Sequence, residues 1–157
     1  MNQIVTDEAK ARSKSRLIGI RLATLTLRLR SGWTDLFGDA DTAAIALAIV
    51  AIGAERLLRQ DLDSALQSVA VPMPTEAFGS CNISSIATAT GLNRETTRRK
   101  VNHLVGTGML TRDGARIRLA PGFTQQQAVM DLIRAQLEEL RRTTNELIRE
   151  GVIMVGH

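Results

Sequence analysis

The sequence predicts a mainly helical protein with one small β-hairpin. Three observations predict it. Apolar residues recur at helical spacing in two long end segments, residues 8–30 and 124–150. A twelve-residue stretch, Ala43–Ala54, is apolar apart from Gly53. A single Asp113-Gly114 pair stands between two short segments, as in a two-residue hairpin turn.

Composition bounds the rest. A chain of 157 residues fits one ordinary domain, or one small domain with a helical extension. It can bury a core without disulfides or a structural metal. With 44% apolar and 23% charged residues, disorder throughout is excluded. A single cysteine, Cys81, excludes an intrachain disulfide and every multi-cysteine zinc motif. His103 and His157 alone cannot supply a histidine-rich metal site. Residues 1–15 are polar, with no secretory pattern, and Ala43–Ala54 is too short to span a bilayer. The expectation is a soluble, cytoplasmic protein with no membrane partner and no cofactor.

The elements follow in order. Ile18, Leu22, Leu25 and Leu29, spaced four, three and four, predict a helix over 8–30. Thr24–Arg30 also alternates like a strand. Ser31-Gly32 breaks the pattern, which leaves Trp33 and Phe37 in a short connection over the core. Asp39 or Asp41 caps the next helix, which runs to about Gln60. Its apolar surface on every face demands cover on all sides, in a central position or a subunit interface. Leu62, Ala65, Leu66 and Val69 suggest one more helical turn, and Pro72-Met73-Pro74 ends it.

The character then changes. An extended piece at Asn82-Ile83 precedes a short helix capped by Ser84 or Ser85 and running through Thr90. Gly91 permits the left-handed backbone of a tight helix-to-helix turn, and Leu92 plugs it. Asn93 caps a second helix, 94–107, with Thr97, Val101, Leu104 and Val105 facing inward. Residues 109–112 and 115–119 flank the Asp113-Gly114 turn, and Pro121-Gly122 closes the unit. Thr124 and Gln127 have the spacing of a capping box for a last helix to about Glu150. There Met130, Ile133, Leu137, Leu140, Thr144 and Leu147 form a narrow seam that a partner helix must cover, from this chain or a second one. Gly151 ends the helix, and the apolar tail Val152–Val155 docks or frays. The chain thus divides into 1–70, with the apolar helix 41–60, then 71–122, then 123–157.

Charge is segregated. Residues 1–30 carry seven basic and two acidic side chains, and residues 31–92 carry two basic and seven acidic. Residues 93–118 carry seven basic and two acidic, and residues 119–157 four basic and five acidic. The compact basic block at 93–118 is what a phosphate-binding face requires. Arginine makes up seventeen of the twenty basic residues, so a composition bias toward arginine would give a similar surplus.

Short helix, glycine turn, longer basic helix, then a hairpin is the order of a winged helix-turn-helix. The segment Ser84-Ser85-Ile86-Ala87-Thr88-Ala89-Thr90-Gly91-Leu92-Asn93-Arg94-Glu95-Thr96-Thr97-Arg98-Arg99-Lys100-Val101 resembles the DNA-binding core of bacterial winged-helix regulators of the MarR and GntR type. Ala87 stands at the small position between the two helices, Gly91 at the turn and Leu92 at the buried position after it. Gly108-Met109-Leu110 matches the lead into the wing. Thr97 departs from the usual Val or Ile. The resemblance covers about residues 81–122. It implies a winged helix-turn-helix flanked by N- and C-terminal dimerisation helices, double-stranded DNA as partner, and a homodimer.

In such a motif the second helix enters the major groove, its N-terminal half nearest the base edges. Arg94, Glu95, Thr96, Arg98, Arg99 and Asn102 then face outward or flank that side. Arg98 and Arg99 are the first candidates for base contacts or nearby phosphates. Arg94 and Lys100 suit phosphates, and Ser84, Ser85 and Asn93 suit phosphates near helix ends. Arg116 and Arg118 share one face of the wing, and Arg112 points to the other. Either face reaches the minor groove or its backbone.

Other features point elsewhere. Cys81 suggests a redox switch by the same resemblance, or a small residue packed beside the wing. His103 reads as a helix-surface or packing residue. Lys10, Lys14 and Arg21 fall near one helical face, read first as the basic outer face of a dimerisation helix, with phosphates, an acidic partner or the acidic 31–92 region of a second subunit as alternatives. Glu138, Glu139 and Glu146 read as solvated charges. With no metal spacing, phosphate loop or paired nucleophile and base, the expectation is not an enzyme. A cleft between helix 41–60 and the DNA-binding unit leaves room for a small-molecule effector. The alternative function is a winged-helix protein-interaction module that docks an acidic protein and reads no DNA sequence.

Overall fold

Short polar side chains open the central helices, and glycines close several of them. The computed structural model describes residues 3–59, 64–74 and 77–156, without the side chains of Arg56, Leu58 and Ala65. Gln60 and Leu62, assigned to helices by pattern, lie outside the described residues. The order is β1 (Gln3–Thr6), α1 (Glu8–Ser13), α2 (Ser15–Phe37), α3 (Ala40–Leu58), a 3-10 turn (Ser64–Gln67), α4 (Ile83–Thr90) and α5 (Arg94–Gly106). There follow β2 (Leu110–Asp113), β3 (Arg116–Leu119), a 3-10 turn (Phe123–Gln125), α6 (Gln127–Arg149) and β4 (Ile153–Gly156). The chain is mainly helical, with the expected antiparallel hairpin. No single helix among the described residues is long and apolar enough to cross a membrane.

Two compact units result, one from Trp33–Met130 and the other from the residues before and after it. In the terminal unit, β1 pairs antiparallel with β4, Gln3 opposite Gly156 and Thr6 opposite Ile153. The apolar tail therefore docks, on a strand that helical periodicity did not reveal. The 8–30 helix is two helices broken at Lys14, and no strand forms at Thr24–Arg30.

Ion pairs at two-turn intervals join α2, with Lys14 just before it, to α6, with Glu150 just after it. Lys14 Nζ lies 2.6 Å from Glu150 Oε2, and Arg28 Nη1 lies 2.9 Å from Glu139 Oε2. Between them Arg21 pairs with Glu146, and with Glu150 at 3.5 Å. Positions rise on α2 as they fall on α6, so the helices run antiparallel. The pairs correct two expectations. Lys14 and Arg21 are engaged within the chain, and Glu139 and Glu146 are ion-paired rather than free. Gly32 does not break α2. It sits where an added Cβ would lie 2.6 Å from Leu132 Cδ1, so glycine permits the close approach.

On α6 half of the expected seam is open, with Met130 and Thr144 half-buried. Leu147 is buried, but Ile133, Leu137 and Leu140 are exposed. Leu132 and Thr143 face inward instead. Thr124 does not cap α6, because the helix starts only at Gln127 after the 3-10 turn.

In the Trp33–Met130 unit, Asp39 caps α3, accepting from the Thr42 amide at 2.9 Å. α3 is the central helix. Its Ile45, Ala48 and Ile49 form one core with Cys81, Ile86, Val101, Leu104, Leu110 and Ile117. Cover is not complete, since Leu47 is exposed. That core is shared between α3 and the α4–β3 segment. Trp33 and Phe37 belong to α2, not to a connection. They stack at 6.0 Å, and Phe37 meets Phe123 at 5.9 Å.

Candidate nucleic-acid interface

Local sequence sets the two helices of the site. Asn82, read from sequence as extended, is the cap of α4. It accepts from the Ser85 amide at 2.9 Å, while its own amide donates to the Ser85 hydroxyl at 3.0 Å. The expected caps Ser84 and Ser85 therefore lie inside the helix. Gly91 takes the left-handed conformation, φ 71°, and turns the chain into α5. Asn93 caps α5 through the Thr96 amide at 2.7 Å.

Burial fixes the rotation of α5. Thr97 and Val101 are completely buried, and Leu104 nearly so. The Thr97 hydroxyl donates to the Asn93 carbonyl at 2.9 Å, so its polar group is satisfied while its methyl packs. That accounts for threonine where an aliphatic residue is usual. Arg94, Glu95, Arg98, Arg99 and Asn102 are exposed on the other side, with Thr96 half-buried. His103 is exposed as well. Arg98 lies 3.3 Å from Glu95 in an exposed pair, an interaction weak enough to yield to a phosphate.

The hairpin turn is one residue later than expected. Asp113 pairs with Arg116, so Gly114-Ala115 form the turn, with Gly114 at φ 58°. Arg112 stands opposite Ile117, whose side chain is fully buried, and so lies on the same face, itself exposed near the turn. Its Nη1 donates to Asn102 Oδ1 at 2.9 Å and its Nε to the Gly114 carbonyl at 2.9 Å. Arg116 and Arg118 take the other face. Arg116 is exposed, and Arg118 is half-buried with its Nε unpartnered among the described residues.

An open cleft of about 400 Å³ lies where these elements meet. The start of α4 (Asn82-Ile83-Ser84), Arg94 and Arg98 of α5, and Arg112 and Ala115 of the wing line it. Helix amides and guanidinium groups around one concavity favour an oxyanion. Ser84 is exposed there, whereas the Ser85 hydroxyl is spent in the cap.

Lys100 is placed otherwise. Its Nζ donates to Asp39 Oδ1 at 2.7 Å and to Thr42 Oγ1 at 3.2 Å. The Lys100 ammonium, then the Thr42 hydroxyl and amide, hold the Asp39 carboxyl far below the usual carboxylate range. Sixty-one positions separate the pair, and no local pattern could have revealed it. Asn82 could have been found, since it precedes Ser85 at capping-box spacing.

Cys81 is buried. Its backbone pairs with Ile117 on both sides, at 3.0 and 2.8 Å, and burial pushes its thiol up to about 11. A thiol so protonated and covered is unsuited to oxidant sensing.

No protein-family model and no curated protein matches this chain. Two solved structures are similar to it in part. One is BpsR of Bordetella bronchiseptica, reported with a mechanism for regulation of its DNA binding by 6-hydroxynicotinic acid; it is 19% identical, with 63% of this chain and 73% of that chain covered, and a TM-score of 0.32. The other is RV1404 of Mycobacterium tuberculosis, 16% identical, with 93% of this chain and 82% of that chain covered, and a TM-score of 0.34. At these scores neither likeness assigns a role to a residue.

Proposed function

We propose that this protein is a sequence-specific double-stranded DNA-binding transcriptional regulator of MarR-like plan, working as a cytoplasmic homodimer. One observation carries the reading. The inward stripe of α5 is buried, which turns Arg94, Arg98 and Arg99 outward beside an arginine-lined cleft shared with the wing. In this reading α5 enters the major groove, with Arg98 and Arg99 near base edges. Arg94 and the start of α4 meet the backbone, and Arg116 and Arg118 lie over the adjacent backbone or minor groove.

The dimer is proposed from the open seam. Ile133, Leu137 and Leu140 on α6 recur at spacings of four and three, and all are exposed. A contiguous apolar stripe of this kind calls for a partner, and a second copy of the same helix supplies one.

Selection of duplexes from a randomised pool tests the reading, followed by fluorescence anisotropy on the selected duplex and a scrambled one. A preference of roughly 10³-fold or more at physiological salt is expected. Equal binding that vanishes with salt would leave the interaction module as the better reading, and pull-down with acidic protein partners would then test that.

A further inference from the structure

The link between Lys100 and Asp39 carries an inference about how the reading face is held. It rests on the DNA-binding reading above. Lys100 follows Arg98 and Arg99 on α5, and an α-helix turns about 100° per residue. Holding the Lys100 ammonium therefore restrains the angular position of both arginines. The anchor is itself firmly placed. Asp39 caps α3, its Oδ1 accepting from the Thr42 amide at 2.9 Å and its Oδ2 from the Thr42 hydroxyl at 2.6 Å. Thr42 is buried, 2% exposed, and α3 is the central helix of the core. The Lys100 side chain is only 19% exposed, against 53% for that of Arg98. Apolar packing through Thr97, Val101 and Leu104 turns the right face of α5 inward, but non-directional contacts leave a small residual roll. A directional, charge-assisted bond at the flank resists it better.

We propose that Lys100 and Asp39 are positioning residues, a tie between α3 and α5 that fixes the roll of the recognition helix, and that Lys100 is not a phosphate contact. Site recognition tolerates only small angular errors, on the order of 10–20°. Losing the tie should therefore blunt discrimination more than total affinity.

Asp39→Asn, Lys100→Met and the double variant test this. Asparagine caps a helix as well as aspartate, and methionine keeps most of the lysine stem, so the fold is retained. Far-ultraviolet circular dichroism and melting curves check that. Each protein is titrated onto the duplex selected by the natural protein and onto a scrambled duplex, across a range of salt. Each single variant is expected to lower the ratio of selected to scrambled affinity by about tenfold, the scale of one charge-assisted hydrogen bond. The double variant should be no worse than the poorer single one, because one link is lost in all three.

Simple electrostatics gives the opposite for Asp39→Asn. Removing that charge would free Lys100, tighten binding and steepen the salt slope by about one phosphate contact. That result, or additive losses in the double variant, overturns the tie and makes Lys100 a phosphate contact. A natural protein that selects no sequence overturns the DNA-binding reading itself, and the inference with it. A natural protein that selects a sequence while the variants follow electrostatics overturns only the inference.

Discussion

Arg112 of the wing donates through Nη1 to Asn102 Oδ1 of α5, at 2.9 Å. The same guanidinium closes its own turn through Nε and the Gly114 carbonyl. A two-stranded hairpin is marginal alone. This one is braced by a side chain reaching from the face it shares with Ile117 to α5. Asn102 thereby commits one lone pair of its Oδ1 inside the protein, and its amide donors face a base edge with only part of its acceptor capacity left.

The brace predicts effects in one direction from unlike substitutions, the larger at Arg112, which also loses its bond to the Gly114 carbonyl. Asn102→Ala removes no charge and Arg112→Ala removes one, yet both should speed amide exchange across Leu110–Leu119 several-fold. The double variant should exchange no faster than the quicker single variant. Additive acceleration would mean that the two side chains act separately.

Two helical glycines should respond in opposite directions to one substitution. At Gly53 an added Cβ would lie 3.1 Å from the Gly79 carbonyl oxygen, and the Gly79 amide donates to the Gly53 carbonyl at 3.0 Å. The crowding atom is backbone tied to this very residue, so it cannot swing aside as a side chain would. Gly53→Ala should cost about 1 kcal/mol net, even after its gain in helix propensity. Gly19 in α2 has nothing within 4 Å of the same position. Gly19→Ala should add about 0.5–1 kcal/mol. Urea unfolding midpoints measure both.

These glycines also show what the sequence could carry. Local signals were legible. Asp39, Gly91 and Asn93 announced their cap and turn, and the buried set Thr97, Val101 and Leu104 followed from spacing alone. Pairings between distant segments were not. The ribbon of β1 with β4 joins the two ends of the chain, and neither strand has an internal pattern long enough to declare itself. Gly32 read as a breaker because its reason, Leu132, lies a hundred residues away. Arg21 read as open to an outside partner, and Glu146 as solvated, for the same cause, although the seven-residue spacing of Lys14, Arg21 and Arg28 was visible. In the candidate site, the outward arginines were legible from the inward stripe. The diversion of Lys100 and Arg112 into internal contacts was not, because it depends on which side chain the fold delivers to each.

Acid should weaken the α3 cap in a definite direction. The folded Asp39 carboxyl ionises well below its unfolded value of about 4, chiefly because of Lys100. Its contribution to stability is thus present above about pH 4 and is lost as pH falls toward the folded value. Glu150, held low by Lys14, acts in the same direction. The melting temperature of the natural protein should fall steadily below about pH 4. Lys100→Met should flatten only the Asp39 share of that fall, while leaving the Glu150 share in place. Identical slopes for the two proteins between pH 2 and 5 would show that the Lys100 bond does not hold in solution.

The open seam on α6 should decide the state of assembly. Leu137 and Leu140 are 65% and 50% exposed, so neither supports the core of one chain. Replacing both with glutamate should change the stability of a lone chain by no more than about 0.5 kcal/mol per site. In a dimer packed along this stripe the same change would bury four uncompensated charges, a cost no moderate interface absorbs. Sedimentation or light scattering should therefore find twice the chain mass for the natural protein and one chain mass for Leu137→Glu with Leu140→Glu, with circular dichroism unchanged. The variant should also lose the added affinity for a palindromic duplex over a single half-site, since two recognition helices no longer arrive together. A natural protein at one chain mass, or a variant that stays paired, would place any partner surface elsewhere on the molecule.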